Sequence, residues 1–281
     1  MTGRQLLAWA IEELTLSKVP DARADARKLL QMAMGASQVL LIDLEEVPTE
    51  QAISEFRSLV LKRKSRVPMS HIRGEREFYG RVFEVGGDVL DPRPDTETLI
   101  DVTLRDSFER VLDLGTGSGC ILGTLLAERP SARGVGTDIS NEALMVASRN
   151  LKRIGVDQRA VVTLSDWFSE VSGTFDVIVS NPPYIALDEL VGLEPEVREH
   201  EPRIALTDEG DGLACYRQIL SEFDDHLVEG GRLIFEIGAT QAIVVSDMML
   251  LAGLERVEVE KDINGLDRVV LGHKPRISLP N

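Results

Sequence analysis

The 281-residue chain is predicted to be an α/β protein in two parts, a small N-terminal helical domain and a mostly parallel sheet covered by helices on both faces. Three observations predict this. Apolar residues recur at helical spacing through roughly the first 75 positions. From Arg110 onward, short apolar runs alternate with helical stretches, as they do when helices cover a parallel sheet. One of those runs passes straight into a glycine-rich turn that opens a helix.

In the first part, Leu6, Leu7, Ala10, Ile11 and Leu14 form one helical face. Pro20 and Asp21 open a second helix, patterned by Ala26, Leu29, Leu30 and Ala33 and ended by Gly35, a residue suited to a left-handed cap. A third begins near Thr49, an N-cap residue, and carries Ile53, Phe56, Val60 and Leu61 between Pro48 and Pro68. The basic run Lys62, Arg63, Lys64 and Arg66 is of a kind that meets RNA, but the helix dipole at that C-terminus favours cations by itself, and that simpler reading is preferred. Between Ile72 and Pro94 the texture changes to short alternating segments with Gly74, Gly80, Gly86 and Gly87, a β-hairpin or extended linker. The expected divisions are therefore 1–73, helical; 74–92, hairpin or linker; and 93–281, the sheet domain. In the last of these, strands are expected at Arg110–Leu114, Arg133–Asp138, Ala160–Leu164, Phe175–Ser180, Arg232–Ile237, Leu254–Glu260 and Asp267–Gly272. Helices are expected at 119–129, 141–153, Gly212–Leu227 and 240–252.

Hydrophobic residues make up 43% and charged residues 28%, a globular composition that argues against a disordered or fibrous chain. Two distant cysteines, Cys120 and Cys215, form neither a disulfide framework nor a CxxC zinc pair, so a reducing cytoplasm is expected and no metal site. No apolar run reaches the ~20 residues of a membrane helix, and Glu12 and Glu13 interrupt the N-terminal pattern, unlike a cleaved signal. The net charge of −16 is unevenly placed. Residues 1–92 hold 13 Lys and Arg against 14 Asp and Glu, while 93–281 hold 18 against 33, a net −15. Such a surface repels a polyanion, so bare nucleic acid is a poor substrate for the larger part.

Three signals carry the chemistry. The first is Val111-Leu112-Asp113-Leu114-Gly115-Thr116-Gly117-Ser118-Gly119, a strand entering a turn whose glycines let the backbone approach a ligand, ahead of a helix N-terminus with free N–H groups. Cys120 stands where a dinucleotide fingerprint requires its third glycine, and no Gly-Lys-Ser/Thr follows, so the turn is neither a good NAD motif nor a P-loop. The second is Asp138, at the end of the next strand, placed to accept from both hydroxyls of an adenosine ribose, although Asp138 or Ser140 equally suits the N-cap of the helix from Asn141. Together these fit NAD or S-adenosylmethionine.

The third signal separates the two. Asn181-Pro182-Pro183-Tyr184 stands at the C-terminal end of the strand Phe175–Ser180, where an open parallel sheet binds ligands if this strand neighbours the glycine-loop strand. The Asn181 side-chain oxygen and the Pro182 carbonyl are suited to accept both N–H groups of a planar NH2. Two prolines stiffen the backbone and offer no competing donor, and Tyr184 is placed to lie against the held group.

This turn, with Asp-Leu-Gly-Thr-Gly-Ser-Gly, resembles class I methyltransferases that alkylate planar NH2 groups. Glu77-Phe78-Tyr79-Gly80, Pro92-Arg93-Pro94-Asp95-Thr96-Glu97, Ser165-Asp166-Trp167-Phe168 and the helical N-terminal domain are similar to the HemK/PrmC family of peptide chain release factor glutamine methyltransferases. Asp91, where an apolar residue is usual, and Asp95, where Glu is also common, are the small departures. The resemblance covers nearly the whole chain.

It implies a class I, Rossmann-like S-adenosylmethionine-dependent methyltransferase fold and transfer of a methyl group to the N5 amide nitrogen of the glutamine in the Gly-Gly-Gln motif of class I release factors, leaving S-adenosyl-L-homocysteine. Gly115, Thr116, Gly117, Ser118 and Gly119 would wrap the methionine part of the cofactor, Asp138 would hold the ribose, and Asp166 and Trp167 would border the adenine. Asn181, Pro182, Pro183 and Tyr184 would hold the substrate glutamine, with Asn181 also against the cofactor and Asn181, Pro182 and Tyr184 as the catalytic set. The expected partner is a release factor, with no direct nucleic acid or membrane partner, and the chain is expected to be a cytoplasmic monomer whose N-terminal helices recognise the protein substrate. Two other readings use the same residues. An N6-adenine methyltransferase on RNA or DNA presents the same kind of amine, against the net −15, and a non-catalytic adenosyl-binding adaptor leaves the intact turn unexplained.

Overall fold

The structure, a computed structural model, describes residues 1–35 and 44–276. The chain divides into two compact units, Met1–Gly74 with Glu194–His200, and Glu75–Leu193 with Glu201 onward.

The first unit is helical. Helix α1 (Gly3–Leu16) is opened by a capping box in which Thr2 and Gln5 satisfy each other's backbone N–H. Helices α2 (Ala22–Ala33), α3 (Glu50–Lys64, capped by Thr49) and the short α4 (Met69–Arg73) follow. Leu6, Leu14, Leu29, Leu30, Phe56 and Val60 form the core that α1, α2 and α3 share. Leu61, expected on the buried face, is exposed; Leu59 and Arg63 take the inward positions of α3. The basic run is largely consumed inside the unit. Arg63, only 7% exposed, donates Nε to Asp25 at 2.7 Å and reaches Glu196 at 2.9 Å. Lys64 pairs with Glu13, and Arg66 donates Nε to Glu196 at 2.7 Å. Ion pairing within the unit, buried at Arg63 and exposed at Lys64, adds to the helix dipole in accounting for these cations.

The second unit opens with the antiparallel hairpin β1 (Glu75–Phe78) and β2 (Arg81–Glu84), within the segment expected to be a hairpin or linker. Helix α5 (Glu97–Leu104) was not foreseen, its eight residues lying beside a proline-rich motif. Then follow β3 (Arg110–Leu114), α6 (Cys120–Glu128), β4 (Arg133–Asp138), α7 (Asn141–Ile154), β5 (Ala160–Leu164) and β6 (Phe175–Ser180). The short helix α8 (Pro195–His200) falls in the first unit, after which come α9 (Ala214–Glu222), β7 (Leu227–Glu236), α10 (Ala242–Leu251), β8 (Glu255–Lys261) and β9 (Asp267–His273). Strand β7 begins five residues before the expected Arg232, because Gly230 and Gly231 made its first half read as a turn.

The sheet order is β5-β4-β3-β6-β7-β9-β8, with β5 to β7 parallel and β9 antiparallel to both neighbours. The β8–β9 connection is too short for a crossover, so the chain turns back on itself. Asp262 holds that turn by accepting from Asn264 and Leu266. Alternate strand residues feed the two faces with the two-residue period of a strand. Val111, Val177, Val179 and Ile234 pack with α5 and α6, while Leu112, Ile178, Leu233 and Phe235 pack with α9 and α10. Strand order reverses between β3 and β6, which makes their carboxyl ends the switch point of the sheet.

Candidate active site at the switch point

The register places Leu114 of β3 beside Ser180 of β6, so Gly115 and Asn181 are the next residues on neighbouring chains. The Ser180 hydroxyl donates to the Leu114 carbonyl at 2.8 Å and ties the two ends together. The neighbour relation on which the sequence reading depended is therefore present.

The glycine turn is fixed from beneath. Gly115, Gly117 and Gly119 have φ of +71°, +53° and +75°, the left-handed region that side chains rarely adopt. Asp113, wholly buried on β3, accepts from the Thr116 hydroxyl at 2.6 Å and the Leu122 amide at 3.3 Å. Burial raises the Asp113 carboxyl to about 7, against the lowering effect of those two hydrogen bonds. The Thr116 amide donates to the Thr137 carbonyl of β4 at 2.8 Å. A β-carbon on Gly136 would stand 2.9 Å from the Thr116 hydroxyl, so the strand is thinned where the turn lies against it.

Asp138 accepts from the Gly117 amide at 2.9 Å through one oxygen and from the Ser140 amide at 3.0 Å through the other. Ser140, not Asp138, caps α7, accepting from the Ala143 amide at 3.1 Å. A carboxylate has about four acceptor positions, so acceptor capacity remains for a ligand. Burial raises the Asp138 pKa, opposed by these backbone donors. After β5, Trp167 adopts a φ of +47°, an uncommon strain for a bulky residue and of the kind found at functional sites. Ser165 helps hold it by donating to the Trp167 carbonyl at 2.9 Å.

Gly115, Thr116, Gly117, Ser118, Asp138, Asp166, Trp167, Asn181 and Pro183 line one cavity of about 670 Å³, within the range of small-molecule sites. Three named residues do not line it. Gly119 is a packing glycine, since a β-carbon there would meet Ala147 of α7 at 3.1 Å. Pro182 is buried. Tyr184 packs with the α9 and α10 core, its hydroxyl 3.4 Å from Glu236, and lines a separate cavity of about 370 Å³ with Gln241. Its ring is placed to stiffen the turn more than to cover a ligand in the larger cavity.

Other wall residues carried weaker signals. Arg93 and Thr96 belong to the Pro92–Glu97 motif. Arg93 pairs at 2.5 Å with Glu201, a carboxyl that burial raises to about 7. Residues 202–209 close another part of the wall, with no periodicity that foretold it. Glu236, at the end of β7, is also buried and raised to about 7, chiefly by desolvation.

Two family patterns match the chain, the PrmC N-terminal domain over residues 5–74 and the methyltransferase small domain over residues 88–191. A release factor glutamine methyltransferase from Cereibacter sphaeroides is 46% identical, covering 98% of this chain and 99% of that protein. One from Bacillus subtilis is 39% identical over 95% and 96% of the two chains. Among solved structures, a methyltransferase from Pyrococcus furiosus superposes with a TM-score of 0.55 over 79% of this chain and 99% of that one, and at 20% identity it shows the fold alone. With the glycine turn and the Asn-Pro-Pro-Tyr turn side by side at the switch point, and with this identity running the length of both chains, the protein belongs to the release factor glutamine methyltransferase family.

Proposed function

We propose that this enzyme methylates the N5 amide nitrogen of the glutamine in the Gly-Gly-Gln motif of class I release factors, with S-adenosyl-L-methionine as donor. One observation carries the reading: Asn181 follows the residue paired with the one before Gly115, so an amide-holding turn stands directly beside a cofactor-type turn. The residues fit the cofactor. The cavity has adequate volume, Gly115 and Gly117 line it without β-carbons, and Asp138 retains acceptor capacity at the end of β4. When bound, S-adenosyl-L-methionine supplies the methyl group on a sulfonium that leaves as a neutral thioether.

The chain's own contribution is placement. The amide nitrogen of glutamine is a weak nucleophile because its lone pair is delocalised into the carbonyl, and the turn carries no His, Cys or Lys to act as a base. The Asn181 side-chain oxygen and the Pro182 carbonyl accept the two N–H groups, turn the nitrogen toward the cavity and stabilise positive charge as it grows there, a charge relieved when the methylated nitrogen gives up one N–H proton to solvent. Asp138 holds the ribose, Gly115 to Gly117 take the methionine part, and Asp166 and Trp167 border the adenine. The helical unit recognises the protein substrate, since it holds none of the cofactor motifs.

The test uses labelled S-adenosyl-L-methionine with a class I release factor in one reaction and with RNA or DNA in others. Label on the release factor supports the reading. Label on nucleic acid alone would establish the N6-adenine alternative, which the net −15 of residues 93–281 disfavours.

A further inference from the structure

The Asn-Pro-Pro-Tyr turn must end as firmly as it begins. Its start is fixed by β6, but after Tyr184 the chain leaves the sheet, and two prolines have removed donors that would otherwise tie the turn down. The Ile185 amide donates to the Leu206 carbonyl at 3.0 Å, and Gln241, just before α10, holds the preceding Tyr184 carbonyl. The Gln241 Nε2 donates to the Tyr184 carbonyl at 2.9 Å and to the Gly212 carbonyl at 3.2 Å. Its Oε1 accepts from the Gly238 amide at 2.9 Å. Three hydrogen bonds to the main chain thus fix the orientation of the side-chain amide, its nitrogen toward two carbonyls and its oxygen toward an N–H.

The fit is close on the other side as well. Gly212 has a φ of +73°, and a β-carbon there would stand 2.3 Å from the Tyr184 carbonyl oxygen. The end of the turn is gripped between a backbone that glycine suits and a side-chain amide that donates to two carbonyls and accepts from one N–H.

We infer that Gln241 is a positioning residue for methyl transfer, setting the Asn181–Tyr184 turn through the Tyr184 carbonyl without touching substrate or cofactor. The inference rests on the reading that this turn holds the substrate amide. Gln241 does not line the cofactor cavity, so its loss should leave cofactor affinity intact and fall on turnover.

The experiment compares Gln241→Leu and Gln241→Glu with wild type in methylation of a release factor, alongside calorimetry with S-adenosyl-L-homocysteine and with Asn181→Ala as reference. Gln241→Leu is expected to lower kcat about 10-fold to 10²-fold, as displacements approaching 1 Å can do, with KM and cofactor affinity within about twofold of wild type. Gln241→Glu places a carboxylate against two carbonyls, so its activity relative to wild type should be poorest at high pH and recover as the pH falls, when a protonated carboxyl donates again. Retained cofactor affinity shows that each variant is folded. Wild-type kcat in both variants, or a Gln241→Glu profile parallel to wild type, would overturn the inference. If Asn181→Ala also kept the wild-type rate, the reading of the turn itself would fall, which separates the two failures.

Discussion

Replacing Gly212 by alanine tests the packing around the Asn-Pro-Pro-Tyr turn with a single methyl group. An added β-carbon would lie 2.3 Å from the Tyr184 carbonyl oxygen and 3.1 Å from the Tyr184 carbonyl carbon, whereas real β-carbons essentially never come within 3.0 Å of another heavy atom. The contact must therefore open by at least about 0.7 Å, and both sides of it are backbone. Two costs follow. Holding alanine at a φ of +73° costs ~1–2 kcal/mol of stability. Moving the Tyr184 carbonyl loosens the Gln241 contact and shifts the turn by a distance at which catalysis typically falls about 10-fold to 10²-fold. Single-turnover methylation of a release factor separates the two effects when Gly155→Ala is run beside it. Gly155 has a φ of +83° with open space where its β-carbon would be, so that variant carries the backbone cost without the displacement. Gly212→Ala should lose turnover and keep cofactor affinity, and Gly155→Ala should lose stability alone. A wild-type single-turnover rate in folded Gly212→Ala would refute the reasoning.

Two further outcomes are expected. Asp138→Ala removes a carboxylate that also orders Gly117, and with charge-assisted hydrogen bonds worth ~1.5–3 kcal/mol each, calorimetry should show S-adenosyl-L-methionine affinity reduced by at least about 10-fold in a folded protein; unchanged affinity contradicts the ribose assignment. The buried Glu236 carboxyl is raised from 4.5 to about 7, so the folded state favours its protonated form, and its contribution to stability is fully present below pH 4.5 and lost as the pH rises through 7. Glu236→Gln stays neutral throughout, so the Tm of the variant minus that of wild type should grow as the pH rises from 4.5 to above 7; a difference independent of pH contradicts the assignment.

What the sequence disclosed follows from the range over which its signals act. Strands β3 and β6 were legible because each is a largely apolar run feeding both faces of a parallel sheet, and the two turns were legible because their residues are contiguous. Strand β7 was half hidden, since Gly230 and Gly231 at its start resemble a loop. The burial of Arg63 was illegible because its partners, Asp25 and Glu196, are distant in sequence and a charged residue does not signal burial through hydrophobic periodicity. The same holds at the site. Asn181 and Gly115 announce themselves by motif, but Gln241, Gly212 and Tyr184 meet only through the fold, and nothing local marks a glutamine ahead of a helix as the clamp of a turn. Tyr184 shows the limit most clearly: its motif suggests a ring against the substrate, while its surroundings place it in the α9 and α10 core with its hydroxyl toward Glu236.

The central claim is that Asn181 orients a glutamine amide for methylation in a release factor. It is tested most directly by incubating the release factor and S-adenosyl-L-methionine with wild type or Asn181→Ala and locating the added methyl group by fragmentation mass spectrometry. Wild type should place one methyl group on the Gly-Gly-Gln glutamine, and Asn181→Ala should do so about 10²-fold more slowly or worse. A methyl group on any other residue, or equal rates for the two enzymes, would contradict the claim.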